Sequence, residues 1–183
     1  TGDGKDVLTI ESGDSDSFIG GHLAKFENTL KFDLGDDADQ LRVQLAGLFV
    51  LGLATVNTGD GADTVSFSIA STTMFLSGNT VAATAHFQKG LTIDTGTGDD
   101  SLVLDGVDDS IAILRVVTDL KITTGSGNDT VTIADQLLLD AGLIISTGDG
   151  QDEVSVITKQ VLVSGTDELP DSPLGNLIKG NVL

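Results

Sequence analysis

Apolar and polar residues alternate along most of the chain, and short glycine-rich segments interrupt the alternation again and again. Before such a segment every second residue is apolar, as at Leu91 and Ile93, and after it the alternation resumes, as at Leu102 and Leu104. A period of two places one set of side chains on an inner face and the other set in solvent. The pattern therefore predicts short β-strands joined by tight corners, and it predicts no long amphipathic helix.

The glycine-rich segments are copies of one phrase, Thr-Gly-x-Gly-x-Asp. Its first glycine occurs at positions 2, 35, 59, 96, 125 and 148, and the copy at 35 is degenerate, with Leu34 for Thr and Asp37 for the second Gly. The intervals of 33, 24, 37, 29 and 23 residues are too irregular for a helical repeat but suit solenoid coils with loops of variable length. The sequence predicts an all-β fold, a parallel β-helix (β-solenoid) of about six coils with Gly/Asp-rich corners.

Each coil is predicted to contain a strand, a corner and a second strand, and stretches such as Ile111–Thr118, Leu137–Leu139 and Thr80–Phe87 suggest a third strand. Stacked coils would bury ladders of equivalent residues, for example Leu30, Leu91, Leu120 and Leu143. We expect the solenoid to span 1–165. Residues 166–183 are interpreted as a linker and a C-terminal tail that either adds a strand at a joint or caps its own last coil.

The corner residues have predicted roles in the turn. Glycine adopts positive φ without steric strain, so we interpret one set as turn-forming: Gly59, Gly61, Gly96, Gly98, Gly125, Gly127, Gly148 and Gly150. The corner threonines share the parity of the inward residues, and this predicts a buried hydroxyl ladder beneath the turns. The outward positions are too mixed for the regular threonine ranks of an ice-binding face.

Charge and composition exclude several classes of partner. The chain has 28 acidic residues against nine Lys and Arg, a net charge of −19, so we exclude nucleic acid as a partner and disfavour anionic membrane surfaces. Divalent cations are the natural counterions of such a surface. There is no cysteine, and the longest apolar run, Leu45–Val56, is shorter than a membrane span.

The corner phrase, read as Gly-x-Gly-x-Asp-x-(apolar), resembles the nonapeptide of RTX proteins, which are secreted bacterial calcium-binding β-solenoids. The resemblance implies that calcium lies between successive corners, held by turn carbonyls and by the matching aspartates: Asp6, Asp39, Asp63, Asp100, Asp129 and Asp152. Stacking would bring a second column of acidic residues beside them: Asp3, Asp60 and Asp149. The alternative is that each aspartate hydrogen-bonds the backbone of its own turn, with no metal.

The sequence offers no support for catalysis, and we predict that the protein is not an enzyme. A polysaccharide-active β-helix enzyme is the weaker alternative, because the chain has no Trp or Tyr for sugar stacking and only His22 and His86 as neutral-pH bases.

The chain begins inside a corner phrase, so we expect either a cut from a longer array or an end covered by another subunit. The leading hypothesis is an extracellular or cell-surface structural protein that self-associates end to end into a filament or surface layer. The alternative is a calcium-stabilised passive segment of a large bacterial surface adhesin, with partners in the extracellular matrix or on the cell surface.

Overall fold

The computed structural model describes residues 4–11, 24–45, 47–69, 74–76, 79–81, 84–106 and 113–162, and every regular element within them is a β-strand. In chain order the strands are β1 (Val7–Glu11), β2 (Ala24–Phe26), β3 (Leu30–Asp33), β4 (Gln40–Leu45), β5 (Leu48–Val50), β6 (Ala54–Asn57), β7 (Thr64–Ile69), β8 (Met74–Leu76), β9 (Asn79–Val81), β10 (Thr84–Phe87), β11 (Leu91–Asp94), β12 (Ser101–Gly106), β13 (Ile113–Val116), β14 (Leu120–Thr123), β15 (Thr130–Leu139), β16 (Leu143–Ser146) and β17 (Glu153–Leu162). No described segment forms a helix that is long and apolar enough to cross a membrane.

The strands wind into a parallel β-solenoid with three faces, which confirms the predicted fold. The first face contains β1, β4, β7, β12 and the first halves of β15 and β17. The second face contains β2, β5, β10, β13 and the second halves of β15 and β17. The third face is a separate sheet in the order β16-β14-β11-β6-β3, and each corner phrase from the second copy onward joins this sheet to the first face.

Equivalent residues of successive coils lie side by side, so the core consists of ladders along the solenoid axis. On the first face Val65, Leu102, Val131 and Val154 are in register, and on the third face Leu91, Leu120 and Leu143 are. The inner side chains of the middle coils are almost entirely buried, with Leu102 and Val131 both at 0% exposure. The predicted ladder of Leu30, Leu91, Leu120 and Leu143 is therefore present, and Ala54 lies in it between Leu30 and Leu91.

The irregular length of the coils arises at one edge of the solenoid, between the first and second faces. In the shortest coils β15 and β17 continue across this edge, and only residues 46 and 47 separate β4 from β5. In the longer coils 12–23, 70–83 and 107–112 intervene at the same place. The hydrogen-bonded part of each coil is thus nearly constant although the repeat spacing is not.

One predicted strand needs correction. The sequence predicts a single third strand over Thr80–Phe87, but only Thr84–Phe87 joins the solenoid as β10. Thr80 belongs instead to β9, which pairs antiparallel with β8 in a hairpin that interrupts the longest coil. The predicted linker and tail at 166–183 and the candidate base His22 lie outside the described residues.

Candidate functional site

The corners between the third and first faces stack directly on one another. All eight predicted turn-forming glycines have positive φ, for example +85° at Gly96 and +86° at Gly125. A Cβ atom at Gly96 would overlap the carbonyl oxygen of Gly59, and one at Gly125 would overlap that of Gly96. Glycine is therefore required twice, by the turn conformation and by the close approach of the neighbouring coil.

The degenerate corner forms its turn with a residue other than glycine at the second glycine position. Asp37 replaces the second glycine and has a φ of 79°, the one positive φ at a non-glycine residue in the described chain. Its Oδ2 atom accepts a hydrogen bond of 3.0 Å from the Gly4 N–H of the preceding coil. Aspartate tolerates this region better than most residues, because its short side chain can hydrogen-bond locally. The substitution is visible in the sequence, whereas this contact depends on the stacking of the coils.

The corner threonines lie inside the solenoid, as predicted. Thr58, Thr95 and Thr124 are fully buried. The Thr58 hydroxyl donates to the Thr95 carbonyl oxygen at 3.1 Å, and the Thr124 hydroxyl donates to the Thr147 carbonyl oxygen at 3.2 Å. The hydroxyl ladder thus connects successive coils beneath the turns.

The motif aspartates form a second ladder beside the threonines, which we call the aspartate ladder. Asp39, Asp63, Asp100 and Asp129 are at most 2% exposed. In each of these residues, Oδ1 accepts a hydrogen bond from the backbone N–H of the motif aspartate one coil earlier. The N–O distances are 2.7 Å from Asp6 to Asp39, 2.7 Å from Asp39 to Asp63, 2.8 Å from Asp63 to Asp100 and 3.0 Å from Asp100 to Asp129. Asp152 continues the series by accepting from the Asp129 N–H at 3.1 Å. The acceptor role expected of these residues is present, but the donor belongs to the neighbouring coil and not to the residue's own turn.

Burial raises the pKa of two carboxyl groups in the aspartate ladder. The Oδ2 atoms of Asp39, Asp63, Asp100 and Asp129 are buried without a hydrogen-bond partner. Burial raises the pKa of Asp100 to about 6; the Thr95 hydroxyl and the Asp63 N–H oppose this shift, and the neighbouring carboxylates of Asp63 and Asp129 add to it. The Thr95 hydroxyl lies close to the Asp100 carboxylate, but its geometry falls outside that of a regular hydrogen bond. Burial likewise raises the pKa of Asp63.

The outer acidic residues lie on a different, exposed column. Asp60, Thr97, Ser126 and Asp149 are successive neighbours on this column, so Asp60 and Asp149 are three coils apart. At ~4.8 Å per coil this separation is about 14 Å. Asp60 accepts a hydrogen bond of 3.0 Å from the Thr97 hydroxyl. Asp60 and Asp149 therefore share one column, but Thr97 and Ser126 lie between them, and Asp3 lies outside the described residues.

A third ladder, which we call the outer ladder, involves the residue before the motif aspartate in the last three corners and was not predicted from the sequence. Asp99 Oδ1 accepts from the Asn128 backbone N–H at 2.7 Å, and Asn128 Oδ1 accepts from the Gln151 N–H at 3.1 Å. Here the acceptor lies one coil before its donor, so this ladder has the opposite polarity to the aspartate ladder. The signal in the sequence is the polar character of this position in the later copies of the phrase.

The second face carries the described histidine. His86 points outward from β10 and stacks on Phe49 with ring centroids 5.6 Å apart. Burial lowers the pKa of His86, and the nearby Arg115 lowers it further while Asp140 opposes this effect. Arg115 forms a 2.7 Å ion pair with Asp140 of the next coil. These contacts join residues far apart in sequence, so only the strand register could have revealed them.

Comparison with protein-family models, with characterised proteins and with solved structures finds no significant match to the chain. Within the described part of the chain, no three histidine or acidic side chains converge closely enough to share a metal ion. The candidate site is therefore the stack of corners together with the end strands β1 and β17, each of which pairs along one edge only within the described residues, and its function must be argued from their geometry.

Proposed function

We propose that this chain is an extracellular structural protein that associates end to end, so that the coils of one copy continue those of the next. The first support is the direction of the main-chain groups at the N-terminal end. The Gln40 N–H donates to the Asp6 carbonyl at 2.9 Å. Because hydrogen-bonding direction alternates along a parallel strand, Leu8 and Ile10 face β4 with their main-chain groups, whereas those of Val7 and Thr9 point away from the stack.

The C-terminal end is complementary. The Glu153 N–H donates to the Asp129 carbonyl at 2.8 Å, so the main-chain groups of Val154 and Val156 point away from β15. Val154 belongs to the inner ladder, yet it is 39% exposed, while its equivalents Val131 and Leu102 are fully buried. A copy of β1 placed after β17 would cover this layer with Leu8 and Ile10 and would continue the same parallel register. This match between the two ends is the observation that carries the proposal.

Such a contact joins different surfaces of identical subunits. Repeated contacts of this kind produce an open filament unless the rotation between subunits closes a ring. The net charge of −19 opposes the association of two copies. Salt or millimolar divalent cations, including calcium, should therefore favour assembly by screening this repulsion.

The proposal is tested by blocking the open edge of β1. In Thr9→Pro the proline removes an N–H that points away from β4, and a proline at such an edge position is tolerated. The side chain of Thr9 is exposed, so the inner ladder is unchanged. Thr9→Val keeps the N–H and serves as the matched control. We expect the wild type and Thr9→Val to form filaments at high protein concentration with millimolar calcium, as seen by sedimentation velocity and negative-stain electron microscopy, while Thr9→Pro remains monomeric with an unchanged melting temperature.

Two results would contradict the proposal. If Thr9→Pro assembles as well as the control, the joint does not use the edge of β1. If the wild type stays monomeric under all these conditions, the open ends are those of a segment within a longer surface protein, as in the adhesin alternative.

A further inference from the structure

We propose that the motif aspartates join the coils as a metal-free hydrogen-bond ladder, in which calcium is not a ligand. The resemblance to RTX corners implies the opposite, a calcium ion held by these carboxylates and by the turn carbonyls. The two possibilities make different demands on the same atoms. Calcium requires six to eight oxygen ligands, whereas a ladder requires one acceptor oxygen per coil.

The carboxylate oxygens do not fit a calcium site. In Asp63, Asp100 and Asp129 the Oδ1 atom already accepts a backbone N–H, at 2.7, 2.8 and 3.0 Å respectively. The Oδ2 atoms of the same residues are buried, and the residues themselves are at most 2% exposed. A cation would have to lose its water shell to reach them, and in the described part of the chain no three acidic or histidine side chains converge to replace that water.

The turn carbonyls that would complete such a site are also engaged. The carbonyl oxygens of Thr97, Ser126 and Asp149 accept the N–H groups of the second corner glycines, at 2.7 Å from Gly61, 2.7 Å from Gly98 and 2.9 Å from Gly127. The Gly59 and Gly125 carbonyls accept the Thr97 and Asp149 N–H groups at 3.3 and 3.1 Å. The backbone of each corner therefore bonds the next corner and does not surround a central ion.

A ladder of this kind predicts that asparagine can replace aspartate. The Oδ1 atom of asparagine accepts the same N–H, and the side chain carries no buried charge. Its amide NH₂ group would lie where Oδ2 lies now, close to the Thr95 hydroxyl in the case of Asp100. The Thr95 oxygen is buried without a hydrogen-bond partner and can accept from that group. At a calcium ligand the same change would weaken calcium binding, because the amide supplies one oxygen and no charge.

The experiment compares three variants in thermal unfolding followed by circular dichroism at pH 7.5, at low protein concentration, with either millimolar calcium chloride or EDTA. Asp100→Asn keeps the acceptor and removes the charge, whereas Asp100→Ala removes both. Asp94→Asn removes the same charge from an exposed position on β11 and is the matched control. Low protein concentration separates the result from end-to-end association.

We expect Asp100→Asn to melt at or above the wild-type temperature and Asp100→Ala to melt about 5 °C lower, because it leaves a buried N–H without a partner. Any shift caused by calcium should be equal in the wild type, Asp100→Asn and Asp94→Asn. The proposal is overturned if calcium raises the wild-type melting temperature and this increment is lost in Asp100→Asn but kept in Asp94→Asn. It is equally overturned if Asp100→Asn is as destabilised as Asp100→Ala.

Discussion

Each stacked corner glycine lies close to the carbonyl oxygen of the corner one coil earlier, and Gly125→Ala tests this approach directly. The added methyl group would overlap the Gly96 carbonyl oxygen. The two corners would then have to separate by about 1 Å or more to reach an ordinary carbon–oxygen distance. Such a shift breaks the bonds from the Gly98 N–H to the Ser126 carbonyl at 2.7 Å and from the Thr95 N–H to the Thr123 carbonyl at 3.0 Å.

The expected magnitude has two parts. An alanine at positive φ costs about 1–2 kcal/mol in unfolding free energy. Two or three broken backbone bonds add about 1 kcal/mol each, so the total for Gly125→Ala is about 3–5 kcal/mol. Gly4 is the matched control, because it has a φ of +103° but no atom lies within 4 Å of the point that a Cβ atom there would occupy. Gly4→Ala should therefore show the conformational cost alone.

Urea unfolding followed by circular dichroism measures both variants against the wild type. A loss of about 3–5 kcal/mol is a large share of the roughly 5–15 kcal/mol that stabilises a typical domain, so Gly125→Ala should unfold at a much lower urea concentration than the wild type. If the two alanine variants are destabilised equally, the corners do not approach each other as described, and the reasoning about the stack is refuted.

Two further predictions concern the interior. Burial raises the pKa of Asp100 to about 6 from an ordinary value of 3.8, so between these pH values the folded chain binds a proton that the unfolded chain does not. The free energy of unfolding should therefore rise by about 1–2 kcal/mol, after solvent screening, as the pH falls from about 7.5 to about 5. Asp100→Asn should reduce this pH dependence. A melting temperature that falls over the same pH range would contradict the prediction. Val131→Asp would place a carboxylate at a fully buried position in the inner ladder and should lower the free energy of unfolding by several kcal/mol. Thr132→Asp, at the neighbouring outward position, should lower it only slightly. Similar urea midpoints for the two variants would contradict the inward direction assigned to Val131.

The sequence predicted the parts of the fold that depend on local pattern. Alternation identified the inner residues, and the repeated phrase identified the corners, because each requires a particular residue at a fixed offset from its own turn. The register between neighbouring strands could also be predicted, because Leu102 and Val131 occupy the same position relative to the first glycine of their corner phrases. The hairpin of β8 and β9 was not predictable in this way, because it interrupts one coil and has no counterpart in the other described coils.

The chemistry of the corner was predicted less well, for a physical reason. A turn aspartate can bond its own backbone, a metal ion or a neighbouring chain segment, and all three favour the same residue after the same glycines. Only the coil spacing distinguishes them, because it places the Asp63 N–H 2.8 Å from Asp100 Oδ1 across 37 residues of sequence. An alignment of the repeated phrases already places Thr97 and Ser126 between Asp60 and Asp149. The distance between the two aspartates follows from that alignment only if equivalent residues of successive coils stack directly on one another.

The aspartate ladder and the outer ladder also give the stack a direction. In the aspartate ladder the donor lies one coil before its acceptor, as from the Asp129 N–H to Asp152. In the outer ladder the donor lies one coil after its acceptor, as from the Gln151 N–H to Asn128. A second copy added after β17 in the same orientation would bring its Asp6 within reach of the Asp152 N–H of the first copy. If the second copy were added in the opposite orientation, the two copies would meet through identical ends. The pairing of identical ends cannot continue either ladder, so the polarity of the corners favours head-to-tail growth over a closed two-fold dimer.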